Sequence, residues 1–205
     1  PKTLIHSYLQ LLKMANLTPI GLAIEIVALV QTLIKKDALA SLGTLIVDIG
    51  AGRATVAILS GATIMHSGNS QTSGTALTEA IRKALAIDTP AAEEMKRTYG
   101  MQNTASKPYQ DAVQSYVEQL SADITRDISH YFDQSPDNPP ITEILLSGGG
   151  AGLKGLPQAL QNSLKIKVSL GNPWTHFEGN APSDITPQVS ARLATVVGLA
   201  LYKYI

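Results

Sequence analysis

Apolar side chains recur every three to four residues in several stretches of the chain, which is the spacing of one helix face. This pattern predicts helices over residues 2–17, 27–37, 107–132 and 188–204. Residues 107–132 form the longest of them, with a continuous apolar stripe on one side. Residues 18–26 are a shorter apolar run, and we interpret them as a strand that leads into the second helix.

Short apolar runs bounded by glycine, proline or small polar residues predict strands. Residues 44–50, 54–61 and 63–68 follow one another with tight turns between them, which predicts a three-stranded meander. Residues 141–147 and 167–170 add two strands, and we expect 141–147 to join the meander in one central sheet. Because helices and strands alternate along the chain, the fold class is mixed α/β.

Three further helices are indicated by the residues at their ends. Residues 73–86 begin with cap-type residues, and 157–164 open with a proline, which is favoured in a first helical turn. Residues 89–100 have Thr89 as the expected N-cap and Gly100 as the stop. The sequence therefore predicts helices both within and after the group of strands.

Composition limits the classes of function. The 205 residues carry 16 Lys+Arg and 16 Asp+Glu, so no basic surplus indicates nucleic acid as a partner. Charged residues make up 16% of the chain, below the roughly 25% usual for soluble domains. We interpret this as surface that meets another domain or a partner. The absence of cysteine excludes disulfides and thiolate metal sites, and it fits a cytosolic protein.

Metal ligands and membrane spans are not expected from local patterns. The histidines His6, His66, His130 and His176 are scattered without ligand spacing, so we expect them on the surface or in the core. The apolar run 20–34 is too short to cross a bilayer and contains a glutamate, and the C-terminal apolar run is also short. The N-terminus has no signal-peptide pattern. We therefore expect no transmembrane span.

Two strands end in glycine-rich turns. Asp48 closes one strand before Gly50 and Gly52, and residues 148–155 (GGGAGLKG) follow another. Glycines let a backbone turn sharply and approach a phosphate closely. The second turn fails the P-loop pattern, because Lys154 is followed by glycine. It matches G-x-G-x-x-G without the later acidic residue of a dinucleotide fold, so on residues alone two tight turns in an α/β core remain an alternative.

The order and spacing of several segments resemble the actin-like ATPase superfamily, and within it the PilM family of type IV pilus assembly proteins, related to the division protein FtsA. The segment VDIGAGRATVAIL resembles the second phosphate motif, and SGTALTEAI the turn and helix that follow it. AEEMK resembles the helix that faces the ribose, and ILLSGGGAGLKGLPQAL the adenosine motif. The resemblance is collinear over essentially all 205 residues. It implies an actin-like, ribonuclease H-like fold, with a mixed sheet flanked by helices.

The resemblance also implies the residues of a site for ATP or ADP with Mg²⁺. Asp48 would be the catalytic residue and would hold hydrated Mg²⁺ through water. The other implied contacts divide among the parts of the nucleotide. They are Gly50, Gly52 and Arg53 for the phosphates, Glu93 and Lys96 for the ribose, Gly148, Gly149 and Gly150 for adenosine, and Gly74 as a cofactor contact with no particular part assigned.

Simpler interpretations of the same residues stay open. Asp48 could cap its own turn, and Arg53 could be a solvated turn residue. Glu93 and Lys96 could form a solvated helix-surface pair at i, i+3. The hairpin tip has Ala51 and alanine at 54 where relatives commonly carry Thr or Ser. Because these hydroxyl groups are missing, the resemblance supports nucleotide binding more strongly than it supports ATP hydrolysis.

The resemblance further implies how the chain divides. Residues 1–43 would be a remnant of actin-like domain I, 44–187 domain II with half of the nucleotide cleft, and 188–205 a helix that returns toward domain I. No first phosphate hairpin precedes residue 44, so we expect the chain alone to bind nucleotide weakly or not at all.

The function implied by the resemblance is a nucleotide-binding scaffold of the type IV pilus, or a related secretion system. It would act at the inner-membrane platform and recruit a PilN-type membrane partner. We expect a cytoplasmic protein peripheral to the inner membrane, and self-association is left open. The alternatives are an active ATPase or FtsA-like division protein, and an interaction domain without nucleotide binding.

Overall fold

A five-stranded mixed sheet with helices on both faces forms the centre of the fold. The computed structural model describes residues 2–35, 40–102, 106–177 and 182–201. The strands are β1 (Gly43–Ile49), β2 (Ala54–Ser60), β3 (Thr63–Ser70), β4 (Ile141–Ser147) and β5 (Lys167–Leu170). The helices are α1 (Lys2–Met14), α2 (Glu25–Leu33), α3 (Gly74–Leu85), α4 (Thr89–Tyr99), α5 (Lys107–Gln134), α6 (Leu156–Leu164) and α7 (Pro187–Leu201), and 149–152 form a 3₁₀ turn.

The strand order is β3-β2-β1-β4-β5. The β1–β2 and β2–β3 pairs are antiparallel, as in a meander, whereas β4 runs parallel to both β1 and β5. The predicted union of the meander and residues 141–147 in one sheet is therefore confirmed. The register pairs Asp48 with Ser147, which puts both at the carboxyl ends of neighbouring parallel strands. In α/β sheets this edge is where ligands commonly bind.

Alternation along β1 divides its side chains between the two faces, because successive residues of a strand point in opposite directions. Leu45, Val47 and Ile49 belong to the core on the α3, α5 and α6 side, whereas Ile46 belongs to the core that includes α2 and α7. By the same alternation Asp48 points to the α2 and α7 side. This direction decides which groups surround its carboxylate.

The long helix α5 packs on the sheet through the predicted apolar face. Val113, Val117, Leu120 and Ile124 are all buried. Tyr131 is fully buried further along the helix, where its hydroxyl donates to the Pro139 carbonyl oxygen at 3.1 Å. The prediction that this face carries the packing of the helix is confirmed.

The opposite face of the sheet is covered by α2 and α7, which contact each other closely. A Cβ built on Gly198 of α7 would lie only 1.9 Å from the Ala28 carbonyl oxygen of α2. The two helix backbones therefore meet where only glycine fits on α7. The predicted boundary between domains at residues 43 and 44 stays a prediction. The end of the last predicted helix, 202–204, lies outside the described residues.

Two local predictions are wrong. Residues 18–26 do not form a strand; 17–24 belong to no helix or strand, and α2 begins at Glu25. A strand needs a hydrogen-bonded neighbour, and Ile20 and Ile24 are exposed instead of covered by the sheet. The N-cap of α4 is Asp88 rather than Thr89, because the Asp88 carboxylate accepts the Ala91 N–H at 2.9 Å.

The predicted first helix exists, but its apolar face is exposed. None of the α1 residues is buried, and large apolar side chains such as Leu4, Tyr8 and Leu11 are about half exposed or more. Amphipathic spacing predicted this helix correctly, yet it does not specify what covers the apolar stripe. No helix among the described residues is both long and apolar enough to cross a membrane.

Candidate functional site

The tip of the β1–β2 hairpin is fixed to the start of α3. The Gly50 N–H closes the tip by donating to the Arg53 carbonyl oxygen at 2.9 Å. The N–H groups of Gly74 and Thr75, in the first turn of α3, donate to the carbonyl oxygens of Gly50 and Ala51, both at 2.9 Å. The hairpin tip and the N-terminus of α3 therefore form one rigid wall.

The glycines after β4 differ in how closely they pack against β1. Gly148 has φ +84°, and a Cβ there would lie 2.6 Å from the Ile49 carbonyl oxygen. A Cβ on Gly150 would lie 2.3 Å from the Ile49 side chain. Close packing against β1 thus requires these two glycines. A Cβ on Gly149, in contrast, would meet no atom of the described residues within 4 Å, so the space beside it is open to them.

These turns, α3, α4, Tyr116 of α5 and the start of α7 enclose a cleft of about 560 Å³. This volume lies within the roughly 300–1,000 Å³ of small-molecule sites. Six of the nine residues predicted to bind the cofactor line it: Gly50, Gly74, Glu93, Lys96, Gly149 and Gly150. The other predicted site residues do not line it: Asp48, Gly52, Arg53 and Gly148.

The charged side chains of the cleft favour an anionic ligand. Four lining residues are cationic, Lys96, Arg97, Lys154 and Arg192, and one, Glu93, is anionic. A concave site lined with this excess of positive charge attracts a phosphorylated or carboxylated ligand. The apolar side chains of Leu77, Tyr116 and Leu153 also line the cleft. The cleft therefore offers both a cationic and an apolar surface.

Glu93 and Lys96 form part of a hydrogen-bond network that joins α3 to α4. The Lys96 Nζ lies 2.6 Å from a Glu93 carboxylate oxygen and donates to the Thr78 hydroxyl at 2.7 Å and the Gly74 carbonyl oxygen at 3.0 Å. The Thr78 hydroxyl in turn lies 2.6 Å from Glu93. Burial raises the pKa of Glu93, but hydrogen bonds from Lys96, Thr78 and Arg97 outweigh it and hold the pKa at about 2.

This network makes Glu93 and Lys96 more than a solvated surface pair. The Lys96 side chain is only 15% exposed, and its partners include backbone of the α3 N-terminus. The pair therefore fixes α4 against the wall made by the hairpin tip and α3. Both residues face the cleft as well, so a ribose contact stays a prediction.

Asp48 lies in the interior behind the cleft. It is 7% exposed, and its Oδ1 has no hydrogen-bond partner among the described residues. Burial, and next the negative charge of Glu25, raise the pKa of Asp48, while Ser147 and Arg53 act in the opposite direction. A turn-capping carboxylate would accept a hydrogen bond, and Oδ1 accepts none. The surroundings of Oδ1 therefore do not support the interpretation that Asp48 caps its own turn.

Arg53 belongs to a second charged group beside Asp48. Its guanidinium lies 3.8 Å from the carboxylate of Glu25, the first residue of α2, and the two side chains are 66% and 48% exposed. Exposed pairs at this distance contribute little stability. The group brings an acidic residue of α2 to the hairpin tip. Sequence reasoning noted Glu25 only as a charge in an apolar run.

Sequence reasoning also missed the wall of the cleft formed by α7. Gln188, Val189 and Arg192, in the first two turns of this helix, line the cleft opposite the hairpin. Arg192 was detectable as the one charged residue in the apolar stretch 189–201. Lys154, assessed only as a failed P-loop lysine, also lines the cleft, and its Nζ donates to the Thr98 carbonyl oxygen at 2.9 Å.

Comparison with solved structures identifies related folds. A chain of a PilM–PilN type IV pilus biogenesis complex matches with a TM-score of 0.83 and 28% identity, over 96% of this chain and 56% of that one. MreB5 of Spiroplasma citri, solved with ADP, matches with a TM-score of 0.65 and 13% identity, over 97% of this chain and 64% of that one. The second likeness shows an actin-like fold alone.

Comparison with curated sequences gives a consistent result. The cell division protein FtsA of Enterococcus hirae is 25% identical over 191 residues, which cover 84% of this chain and 43% of FtsA. The chain thus spans about half the length of the relatives that it matches. The family model of type IV pilus assembly protein PilM matches residues 2–204. With its actin-like sheet and cleft, the chain belongs to the PilM family of type IV pilus assembly proteins.

Proposed function

We propose that this chain supplies one wall of a nucleotide site in a PilM-type scaffold, where bound ATP or ADP sets a conformation that partners recognise. The observation that carries the proposal is the convergence of six predicted cofactor-binding residues on one cleft of about 560 Å³. These residues come from the β1–β2 turn, α3, α4 and the turn after β4, which are far apart in the sequence. Their convergence is what a shared ligand would require.

The proposed orientation follows from the character of each wall. The phosphates would lie toward the hairpin tip and α3 N-terminus at Gly50 and Gly74, where backbone approaches closely and Lys96 adds positive charge. The adenosine would lie toward Gly149, beside which space is open, with Glu93 near the ribose. MreB5, which has a similar fold, was solved with ADP, and this supports a nucleotide as the ligand class.

Mg²⁺ fits the surroundings of Asp48. A buried carboxylate oxygen without a hydrogen-bond partner, close to the acidic Glu25, is an arrangement that a hydrated divalent cation would stabilise. Asp48 would hold the ion through water, and Mg²⁺ would neutralise phosphate charge. Arg53, outside the cleft lining and paired with Glu25, would orient the hairpin rather than contact the phosphates.

The scaffold role rests on the family. A PilM–PilN complex supports a PilN-type membrane protein as the partner, and such a partner would place the protein at the inner membrane. In this proposal residues 44–187 form the nucleotide-binding domain, and 1–43 and 188–205 connect it to the other actin-like domain. Mixing the full-length protein that carries this chain with the PilN-type protein of the same organism tests the partner by co-purification.

Calorimetry on that full-length protein tests the nucleotide site. We expect saturable ATP and ADP binding, and we expect Asp48→Ala to weaken ATP binding more than ADP binding, because the γ-phosphate end depends most on the metal. Asp137→Ala, an exposed aspartate remote from the cleft, is the matched control and should bind both nucleotides as the parent does.

Two other outcomes assign different functions. Phosphate release that Asp48→Ala abolishes would identify a turning-over ATPase instead of a scaffold. No titratable binding of a fluorescent ATP analogue by the full-length protein would leave an interaction domain without nucleotide. Equal loss of ATP and ADP binding in Asp48→Ala would contradict the metal role of this residue.

A further inference from the structure

A cluster of possible metal ligands lies where the edge strand β3 meets α5. His66 comes from β3, and Asp127 and His130 come from α5, where a separation of three residues places them on one helix face. One ligand atom from each of the three side chains lies within 4.8 Å of the others. We propose that His66, Asp127 and His130 bind one divalent transition-metal ion of the Zn²⁺ type.

The distances need little adjustment to hold an ion. The His66 Nε2 lies 3.1 Å from the Asp127 Oδ1. A tetrahedral Zn²⁺ with bonds of about 2.0–2.2 Å holds its ligand atoms roughly 3.3–3.5 Å apart. His130 is exposed, so its ring can rotate toward the other two without disturbing the core. The His66 and His130 rings already lie edge to face, with centroids 6.2 Å apart.

The Asp127 carboxylate is the observation that points to a ligand. Asp127 is 4% exposed, and its Oδ2 has no hydrogen-bond partner among the described residues. An unpartnered buried carboxylate oxygen is costly unless a cation or donor satisfies it. An ion at this position would satisfy that oxygen, and His66 alone does not.

Asp123, one turn earlier on the same helix, shows the contrast. Its carboxylate accepts hydrogen bonds from the hydroxyls of Ser70 and Thr72, from Gln119 and from Arg126. Its surroundings are therefore complete without a ligand. Buried carboxylates on this helix face do obtain partners from protein side chains where these are available, and among the described residues the Asp127 carboxylate is given one side-chain partner, His66.

The strand leaves room for this carboxylate. Gly68 lies two residues after His66 on the same face of β3, and a Cβ there would be 2.3 Å from the Asp127 Oδ1. Any other residue at 68 would displace the carboxylate from His66. The small residue beneath Asp127 is thus part of what holds the three ligands together.

The ligand set indicates the class of metal. Two imidazoles and one carboxylate suit borderline divalent ions such as Zn²⁺, and the chain has no cysteine whose thiolate would select Cu(I). Three protein ligands leave one position for water or another donor. The bound ion would tie the edge strand β3 to α5 and stabilise the native state through binding.

The proposed metal site is separate from the nucleotide cleft. Tyr116 of α5 lines that cleft, and Asp127 lies eleven residues further along, which is about 16 Å along a helix axis. The proposal therefore does not rest on nucleotide binding, and either can fail alone.

The test is a Zn²⁺ titration of the chelator-treated full-length protein that carries this chain. We expect saturable binding, and we expect His130→Ala to reduce the stoichiometry by one ion or to weaken that site by more than about tenfold. His130 is exposed and the variant keeps the His66–Asp127 hydrogen bond, so folding should be unchanged. His6→Ala, an exposed histidine on α1, is the matched control and should bind as the parent does.

Co²⁺ provides a second, spectroscopic measurement. The parent and His6→Ala should show the visible absorption of Co²⁺ bound by protein ligands, and His130→Ala should lose it. Absence of saturable Zn²⁺ binding in the parent would overturn the proposal. Zn²⁺ stoichiometry and affinity in His130→Ala equal to the parent's would overturn it as well.

Discussion

The carboxylate of Asp48 is held in an unfavourable place for a charge. It is buried at the end of β1, with an oxygen that has no hydrogen-bond partner among the described residues and with Glu25 as an acidic neighbour. Both burial and Glu25 raise its pKa above the ordinary value of 3.8. Functional sites commonly hold such residues, because a bound ligand supplies the stabilising interactions that the folded protein lacks around the charge.

The raised pKa gives a prediction with a definite sign. A carboxyl whose pKa is higher in the folded state stabilises that state fully below the unfolded pKa, and this contribution is lost as pH rises through the folded pKa. Asp48→Asn, which is neutral at every pH, should therefore be more stable than the parent at pH 7. Thermal unfolding without nucleotide or Mg²⁺ measures the difference in midpoint temperature.

The same variant should lose its advantage in acid. Well below pH 3.8 Asp48 is neutral in both states, so the parent and Asp48→Asn should unfold at similar temperatures. Asp137→Asn, at an exposed position, should match the parent at both pH values. An Asp48→Asn protein less stable than the parent at pH 7 would show that the charged carboxylate has a stabilising partner.

At the scale of elements, α2 and α7 meet through Gly198. Replacing a glycine by alanine inside a helix normally stabilises it by about 1 kcal/mol. At Gly198 the added methyl group would lie 1.9 Å from the Ala28 carbonyl oxygen, so the helices would have to separate. We expect Gly198→Ala to lower the free energy of unfolding by about 1–3 kcal/mol.

Denaturant unfolding measures this change. Val196→Ala on the same helix is the control, because Val196 is 57% exposed and its substitution alters helix propensity without touching α2. If Gly198→Ala is as stable as the parent or more so, helix propensity outweighs the contact and the packing described between α2 and α7 is wrong.

The apolar face of α5 gives a second prediction for an element. Val117 is 3% exposed within the core on the α5 side of the sheet. Val117→Asp places an unpaired charge there, and we expect a loss of about 3–5 kcal/mol in the free energy of unfolding. Ser115→Asp, at an exposed position two residues earlier, should change stability little. Circular dichroism during unfolding compares the two, and equal stability would contradict the packing of this face.

At the scale of the whole molecule, the proposed nucleotide site depends on open space beside Gly149. A Cβ at this position meets no atom within 4 Å in the part of the chain that the structure describes, so Gly149→Val should fold as the parent does and fill part of the cleft. We expect it to abolish binding of ATP and ADP alike in the full-length protein, because adenosine is common to both. Calorimetry measures the two affinities.

Gly52→Val is the matched control for that experiment. A Cβ on Gly52 also meets none of the described atoms within 4 Å, but Gly52 does not line the cleft, so ADP binding should survive. Unchanged ATP affinity in Gly149→Val would mean that the glycines after β4 form only a turn. The simpler interpretation, two tight turns in an α/β core without a ligand, would then explain these glycines.

Local patterns in the amino-acid sequence were sufficient to predict most helices and strands of this protein. Period-2 and period-3.6 patterns depend on each residue's nearest neighbours, so they predicted the meander, the buried strand 141–147 and the apolar face of α5. Family resemblance in the order of motifs predicted the actin-like fold. Local pattern failed at residues 18–26, because an apolar run does not specify a pairing partner.

Contacts between residues far apart in the sequence became evident only in the folded chain. It placed Arg192 of α7 in the cleft, Glu25 of α2 near Asp48, and Asp48 behind the cleft instead of in its lining. It also brought His66 to His130, 64 positions apart in the printed sequence, although their spacing had indicated no site. Strand order and helix packing depend on the burial of apolar surface over the whole chain. The distance between two residues along the sequence therefore does not predict whether they are in contact.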